Sequence, residues 1–411
     1  MKKLKSIVLF FIIFAICFSF VGCWNYKDVE LQFVVMGMAI DIDPATGEYL
    51  IHAEISKAKG GTEAELITRL ETARGITLYD ATRNIIAKIG AKVYWGHTMV
   101  YVLSERLAKQ GIADAIGVLS RQTQVRSDIF ILVCESESIE KIFEFEDPIH
   151  EDISQHLHDL EEDYEASTKY RRAPLFIVLQ ELASNEISLT LPYIKMVKIE
   201  SEESKGGEGK TKSSGGEETK SASEEKVEEI IVADGSTVFK GDIMVGRIDG
   251  LDTQSVLILK EEAKENYILT IKESEELPSC TIEVINSDLN IDPVLDKEEN
   301  LGFNIELKLE GDLVELHTER DLVSEEEKGD LEDAFEAMLE NQIRKTIEKT
   351  QKDYQADIFG FASVTHRKQG EYWSALPMRW EDIYEKAEID VSVDIEIESS
   401  SLSMGSIRIG R

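Results

Sequence analysis

The sequence predicts a multidomain α+β protein of mixed β-sheets and packed helices, exported and lipid-anchored. Three observations carry this. A short basic and apolar leader ends in Gly22-Cys23. Beyond it, apolar runs of period two alternate with amphipathic stretches of helical period. Near the middle, a Ser/Gly/Lys/Glu stretch almost without apolar residues interrupts the pattern. The resulting divisions are a leader over 1–22, an N-terminal α+β region over 23–199, a flexible linker or inserted loop over 200–230, and a C-terminal α+β domain over 231–411.

In the leader, Lys2, Lys3 and Lys5 form a basic n-region and Ile7 to Val21 is an almost continuous apolar run. That is the charge order and length of a secretory signal, and it is short for a spanning helix. Gly22 before Cys23 supplies the small-residue-cysteine pair at which lipoprotein processing attaches diacylglycerol to the thiol. Phe20 stands where Leu is usual. Coincidence of the pair with the end of the signal favours lipid attachment at Cys23 over an ordinary cleaved signal with a chance cysteine, and over an uncleaved anchor. Cys23 is the one site residue the sequence assigns. No catalytic, metal-ligating or cofactor-binding residue is assigned, and no cofactor is expected.

At 411 residues and 42% hydrophobic content, the chain can build more than one core. Its 80 acidic residues against 45 basic give a net charge of −35, and loss of the leader's three lysines makes the remainder more negative. Such a surface repels phosphate backbones and anionic headgroups, which argues against nucleic-acid binding and against direct electrostatic adhesion to a membrane. A covalent lipid would hold the chain at a surface its own charge opposes. Cys134 and Cys280 each border an apolar strand-like run and read as small buried residues, with a bridge between them as the alternative. The spacings contain no paired-cysteine zinc pattern.

After Cys23, Phe33 to Ile40 reads as a buried strand, Asp43 to Gly47 as a turn, and Tyr49 to Ile55 as the hairpin partner. Asp41 and Asp43 hint at a calcium loop, but Ala45 and Thr46 fall where oxygen ligands and a turn glycine belong. From Thr77 the period changes. Leu78, Ala81, Ile85, Ile86 and Ile89 share one helical face, with Thr77 as cap and Gly90 as stop. Met99 to Leu103 reads as a strand, Ser104 caps a second helical region interrupted at Gly111, and Ile129 to Val133 returns as a strand. Between Pro148 and Pro192 the first half is helical and charged. His150, His156 and His158, with Glu151, Asp152 and Asp159, resemble a metal cluster; however, His156 and His158 diverge on a helix and His150 lies too far from His158 for adjacent-turn ligation. Solvated helix surface is the better reading. His97, after Trp95-Gly96, reads as a structural histidine.

Glu200 to Glu229 cannot bury enough surface to offset its ordering entropy. Gly209-Lys210-Thr211 imitates a phosphate-binding loop, but Ser204 occupies the first glycine position and no strand precedes it. Strand signals resume at Thr237 to Phe239 and Val256 to Leu259. Phe303, Ile305, Leu307 and Leu309 alternate with polar residues, and Gly311-Asp312 reads as a turn into Leu313 to Leu316. Leu331, Phe335, Met338, Leu339, Ile343 and Ile347 form the stripe of a long helix that would lie on this sheet, a globular spacing rather than a coiled coil. Asp357 to Phe361, Tyr372-Trp373 and Trp380 would pack the helix end onto a last strand, Ile389 to Ile397, with one core face and one acidic face.

Gly22-Cys23-Trp24-Asn25 with Glu30 resembles the lipobox and opening signature of the Ger(x)C family of spore germination lipoproteins. Asp357-Ile358-Phe359-Gly360-Phe361, followed by Tyr372-Trp373 and Trp380, is similar to that family's C-terminal signature, and Gly96-His97, the region of Arg121 and Arg126, and Leu191-Pro192 also resemble family positions. Asn25 stands where Asp is common, Ala362 where Gly is common, and the linker is long. The resemblance implies a non-catalytic C subunit of a nutrient germinant receptor, made of α+β domains. It would be anchored through Cys23 to the bilayer on the outer face of the spore's inner membrane, beside a membrane-embedded A subunit and a transporter-like B subunit. Whether it touches the small-molecule germinant stays open. A lipid-anchored solute-binding protein feeding a transporter is the alternative, and an extracytoplasmic hydrolase is a third reading. The sequence contains no His-Glu-x-x-His, Gly-x-Ser-x-Gly or glycine-rich nucleotide fingerprint to support the last.

Overall fold

The computed structural model describes residues 33–398 apart from 60–64, 146–148, 151, 163, 201–226, 273–278, 296–299, 317–324 and 375–379, together with Ile7 and Phe14. Cys23, Trp24, Asn25, Glu30, Glu151, Ser204 and Gly209-Lys210-Thr211 lie outside the described residues.

β1 (Phe33–Ile42) and β2 (Tyr49–Lys59) form the expected antiparallel hairpin, and β3 (Glu65–Gly75) extends it. The turn is held by Asp43, whose carboxylate accepts from Ala45 N and Thr46 N at 2.8 and 3.2 Å. α1 (Leu78–Ile89) starts at Thr77, whose hydroxyl accepts from Asp80 N, and stops at Gly90 in the left-handed region. β4 (Val93–Tyr94) and β5 (Val100–Ser104) follow. Ser104 caps α2 (Glu105–Gln110), and Gly111, at φ 124°, separates it from α3 (Ala113–Arg121). Then come β6 (Phe130–Cys134), α4 (Ile139–Glu144), α5 (Ile153–Glu162), α6 (Tyr164–Ser167), α7 (Leu175–Leu182), β7 (Thr190–Glu200), β8 (Val227–Lys240) and β9 (Ile243–Ile248).

These strands make one nine-stranded sheet in the order β3-β2-β1-β5-β6-β7-β8-β9, with β4 beside β1. Its centre, β1-β5-β6-β7, is parallel because helical crossovers return each strand in the same direction; its flanks are antiparallel. One core, under α1, α2, α3 and α7, fills one face, and a smaller core under α4 and α5 fills the other. With both faces covered, β5 and β6 are buried at every position, which is why their sequences are unbroken apolar runs. β7 and β8 pair from Thr190–Val238 to Glu200–Val227, so the segment 201–226 connects neighbouring strands of one sheet.

The expected strand at Val256 to Leu259 is instead the end of a helix, α8 (Gly250–Leu259). Asp249 caps it by accepting from Asp252 N, and every residue from Thr253 to Leu259 is buried. A helix buried all round has no polar face, so its last turn reads as a strand-like apolar run.

A second sheet has the order β10 (Tyr267–Ile271), β11 (Cys280–Leu295), β12 (Leu301–Leu316), β13 (Glu388–Glu398). The turn expected at Gly311-Asp312 is absent: Gly311 pairs with both Val284 and Ile397 in the middle of β12, and the irregularity is a bulge on β11 between Val284 and Asn286. Glycine marks close backbone approach here, since a Cβ at Gly311 would lie 3.0 Å from the Glu283 carbonyl oxygen. α9 (Glu325–Lys349) covers one face of this sheet with Leu331, Phe335, Leu339, Ile343 and Ile347 fully buried. α10 (Phe361–Lys368), α11 (Gly370–Trp373) and α12 (Trp380–Tyr384) close the end of the core. Val238 and Ile248 of the large sheet join that core. Cys134 and Cys280 are both buried and unbridged. Among the described residues no helix is long and apolar enough to cross a membrane.

Candidate functional site

The C-terminal signature folds around one carboxylate. Asp357 is buried and accepts from the backbone N–H groups of Phe359, Gly360, Phe361 and Ala362 at 2.8–3.2 Å, while Trp380 Nε1 donates to its second oxygen at 3.1 Å. It therefore caps the N-terminus of α10, with Gly360 at φ 81° making the entry. Burial pushes the Asp357 carboxyl up to about 6, against the pull of these donors. Phe303, Phe359, Phe361, Trp373, Trp380 and Tyr384 gather around it with ring centroids 4.7–6.5 Å apart. Tyr384 and Thr350 share a hydrogen bond at 2.6 Å, which ties α12 to the end of α9.

This hub sits on the seam with the large sheet. Ser188 N donates to the Asp357 carbonyl oxygen at 2.7 Å, and Ser363 Oγ donates to Glu186 at 3.0 Å. His366 Nδ1 lies 2.8 Å from the other Glu186 oxygen, and its ring stacks on Trp373. Lys240 pairs with Glu381 at 2.7 Å. A groove of about 470 Å³ opens here, between Ser184, Asn185, Lys240, Gln355, Trp380 and Asp382.

A buried ionic cluster also joins the two regions, and its Glu181 lines the same groove. Arg171, with its side chain 3% exposed, donates to Glu181 at 2.7 Å through both terminal nitrogens and to Glu262 at 2.9 and 2.8 Å. Lys260, 8% exposed, reaches Glu181 at 2.8 Å and Glu262 at 3.2 Å. Two cations and two anions balance, which is what allows all four into the interior. Burial works against the charge on Glu262, but Arg171 and Lys260 outweigh it and hold the carboxyl down to about 2. Glu181 is lowered by the same pair against its own burial. Arg171 and Glu181 belong to the region before the long segment, Lys260 and Glu262 to the region after it. Sequence reasoning missed this cluster, because residues 91 positions apart carry no local signal.

The residues singled out from sequence find structural partners. Asp41 accepts from Ser104 Oγ and from Arg106 at 2.9 and 3.2 Å. Asp43 is turned to its own turn and to Arg74 at 3.1 Å. The calcium alternative therefore has no converging oxygens. His150 and His158 do approach one another through Asp159, each at 3.4 Å, and the His150 and His156 rings lie 4.9 Å apart. The loop before α5 brings His150 back, which spacing alone could not show. Still, among the described residues no group of three or more His, Cys, Asp or Glu is placed to hold a metal. His97, Arg121 and Arg126 are exposed, and Arg126 pairs with Asp128. Sequence reasoning also missed Glu54, which reaches from β2 to accept from Ile153 N and Ser154 N at 3.1 and 2.9 Å and so caps α5.

The fold and its seam define a two-unit α+β protein whose signature residues hold structure together. Residues 25–196 match the family described as "Spore germination protein N-terminal domain", and residues 234–401 match "Spore germination B3/ GerAC like, C-terminal". The chain belongs to this spore germination family. It is 22% identical to "Spore germination protein KC" of Bacillus subtilis (strain 168), over 94% of both chains. With "Spore germination protein B3" of the same organism it shares 23% over 96% of both, and with "Putative spore germination protein YfkR" 21% over 94% of this chain and 95% of that one. Its fold is similar to that in "Crystal Structure of the GerBC protein", at a TM-score of 0.51 and 16% identity, covering 91% of this chain and 99% of that one.

Proposed function

We propose that this chain is the non-catalytic, lipid-anchored C subunit of a nutrient germinant receptor and helps trigger spore germination. Cys23 carries the lipid, and the acidic body stands on the outer face of the spore's inner membrane beside membrane-embedded A and B subunits. The observation that carries the reading is the ordered match of both spore-germination units across 25–196 and 234–401. The non-catalytic reading is supported by the engagement of Asp41, Asp357, Glu181 and Glu262 in structural hydrogen bonds and ion pairs. The lipid is supported by Gly22-Cys23 at the end of the leader.

The test is made in spores in which this receptor is the sole one present. Deletion and Cys23→Ala are each expected to impair nutrient-triggered germination while vegetative growth is unchanged, and Cys23→Ala is expected to move the chain from the membrane to the soluble fraction. Normal nutrient germination in both strains overturns the proposal.

A further inference from the structure

Among the described residues β13 is an edge strand: β12 lies on one side of it and no described strand on the other. Such an edge presents a row of backbone donors and acceptors to any strand that approaches. Here α9 runs along it. Glu332 accepts from Ile397 N at 2.8 Å, Glu336 from Ile395 N at 3.0 Å, and Glu340 from Val393 N at 3.0 Å. Helix and strand run in opposite directions, and the two repeats nearly match: four helical residues rise about 6.0 Å, and two strand residues about 6.6 Å. A row of side chains at every fourth position can therefore follow alternate amides over three repeats. The next member of the row is Arg344, a donor, and it turns to an acceptor, the Ile389 carbonyl oxygen at 3.3 Å.

The pattern is written in the sequence as an apolar-charged pair every four residues: Leu331-Glu332, Phe335-Glu336, Leu339-Glu340, Ile343-Arg344. The first member of each pair is buried in the core, and the second lies one position round the helix, at the strand edge. Three glutamates on adjacent turns repel one another. Among the described residues Glu332 pairs with Lys328 at 3.5 Å, and Glu336 and Glu340 form no ion pair. Asp333 and Asp394 add to the negative charge around Glu336. Helix stability alone would not select this row; the three amides give it a purpose.

We infer that Glu332, Glu336 and Glu340 act together as an edge block, occupying the donors that an added strand would need and so keeping β13 from pairing with a strand of a second copy. The inference goes beyond the receptor reading and does not depend on it.

The test compares the full-length chain with two triple variants. Glu332→Ala/Glu336→Ala/Glu340→Ala removes the acceptors; Glu332→Gln/Glu336→Gln/Glu340→Gln removes the charge and keeps an acceptor. Amide exchange of Val393, Ile395 and Ile397 is expected to quicken about tenfold in the alanine variant, which is expected to sediment as dimers or larger species. The glutamine variant is expected to match the parent in both measurements. Parent-like exchange in the alanine variant overturns the block, as does free exchange without association. Association of the glutamine variant to the same degree also overturns it, since charge and not hydrogen-bond occupancy would then be responsible. If the triple alanine variant does not fold, Glu336→Ala alone is read at the Ile395 amide, and an unchanged rate there overturns the inference.

Discussion

Trp380 donates its indole N–H to the buried carboxylate of Asp357 across 23 residues of chain, at 3.1 Å. Four backbone amides converge on the same group. The signature residues are thus one hydrogen-bonded unit, and removing its acceptor strands five buried donors. Asp357→Ala is expected to destabilise the C-terminal unit by at least about 3 kcal/mol, measured by urea unfolding followed through tryptophan fluorescence. Trp380→Phe keeps the ring packing and removes one donor, with an expected loss of about 1.5–3 kcal/mol, the range for a hydrogen bond to a charged partner. A Trp380→Phe loss as large as that of Asp357→Ala would mean that ring packing, and not the carboxylate, organises the unit.

Gly235 adopts φ 85° within β8, and its N–H donates to the Lys169 carbonyl oxygen at 2.8 Å. A Cβ at this position would lie 2.2 Å from the Ile248 carbonyl oxygen, which is backbone and cannot swing aside. Gly235→Ala therefore combines left-handed strain with a backbone clash, and about 2 kcal/mol or more of destabilisation is expected. Gly90→Ala, also left-handed but with open space around it, is the comparison, with an expected loss of about 1 kcal/mol. Equal thermal shifts in the two variants would show that the clash relaxes.

Local physics was legible in the sequence, and long-range pairing was not. Thr77, Ser104 and Gly90 act as the caps their residue types predict, because a cap is decided within four residues. The alternation in β13 gave its buried face, as Val391, Val393, Ile395 and Ile397 confirm. Val256 to Leu259 failed because full burial erases the helical period, and Gly311 failed because close backbone approach beside a bulge selects glycine just as a turn does. The seam was out of reach for a different reason: Arg171 and Glu262, or Glu186 and His366, meet only after the whole fold is assembled. Asp357 and Trp380 were read as packing residues, yet the carboxylate's hydrogen bonds organise that packing.

Glu161 on α5 gives a pH dependence with a definite sign. It is fully buried, accepts from Ala173 N at 3.1 Å through one oxygen, and its other oxygen has no partner among the described residues. Burial pushes its carboxyl up to about 8, against the weaker pull of Ala173 N, Arg172 and Arg171. A folded-state value above the unfolded one means that the protonated form supports the fold. Its contribution is present in full below the unfolded value, near 4.5, and is lost as pH rises through about 8. Relative to Glu161→Gln, the parent chain is expected to lose about 1.4 kcal/mol per pH unit between pH 5 and 8 and then to level off. Urea unfolding of both proteins across pH 5 to 9 makes the measurement, and parallel curves would show that Glu161 is ionised in the fold.

The ionic cluster of Arg171, Glu181, Lys260 and Glu262 should act on the two units together. Removing Arg171 leaves the buried Glu181 and the half-buried Glu262 facing only Lys260, and an uncompensated buried charge costs about 3–5 kcal/mol. Arg171→Met is expected to fall in that range. Glu262 retains partial solvent access, its side chain being 27% exposed, so Glu262→Gln should cost less. The double variant Arg171→Met/Glu262→Gln restores the charge balance between Glu181 and Lys260, and its loss is expected to be smaller than the sum of the single losses by about 1–3 kcal/mol. Because the cluster joins residues on both sides of the long segment, single variants should also lower the cooperativity of unfolding, seen as separation of the fluorescence and circular-dichroism transitions. Additive losses with coincident transitions would mean that the four charges are held by separate contacts and that the hub at Asp357 alone unites the units.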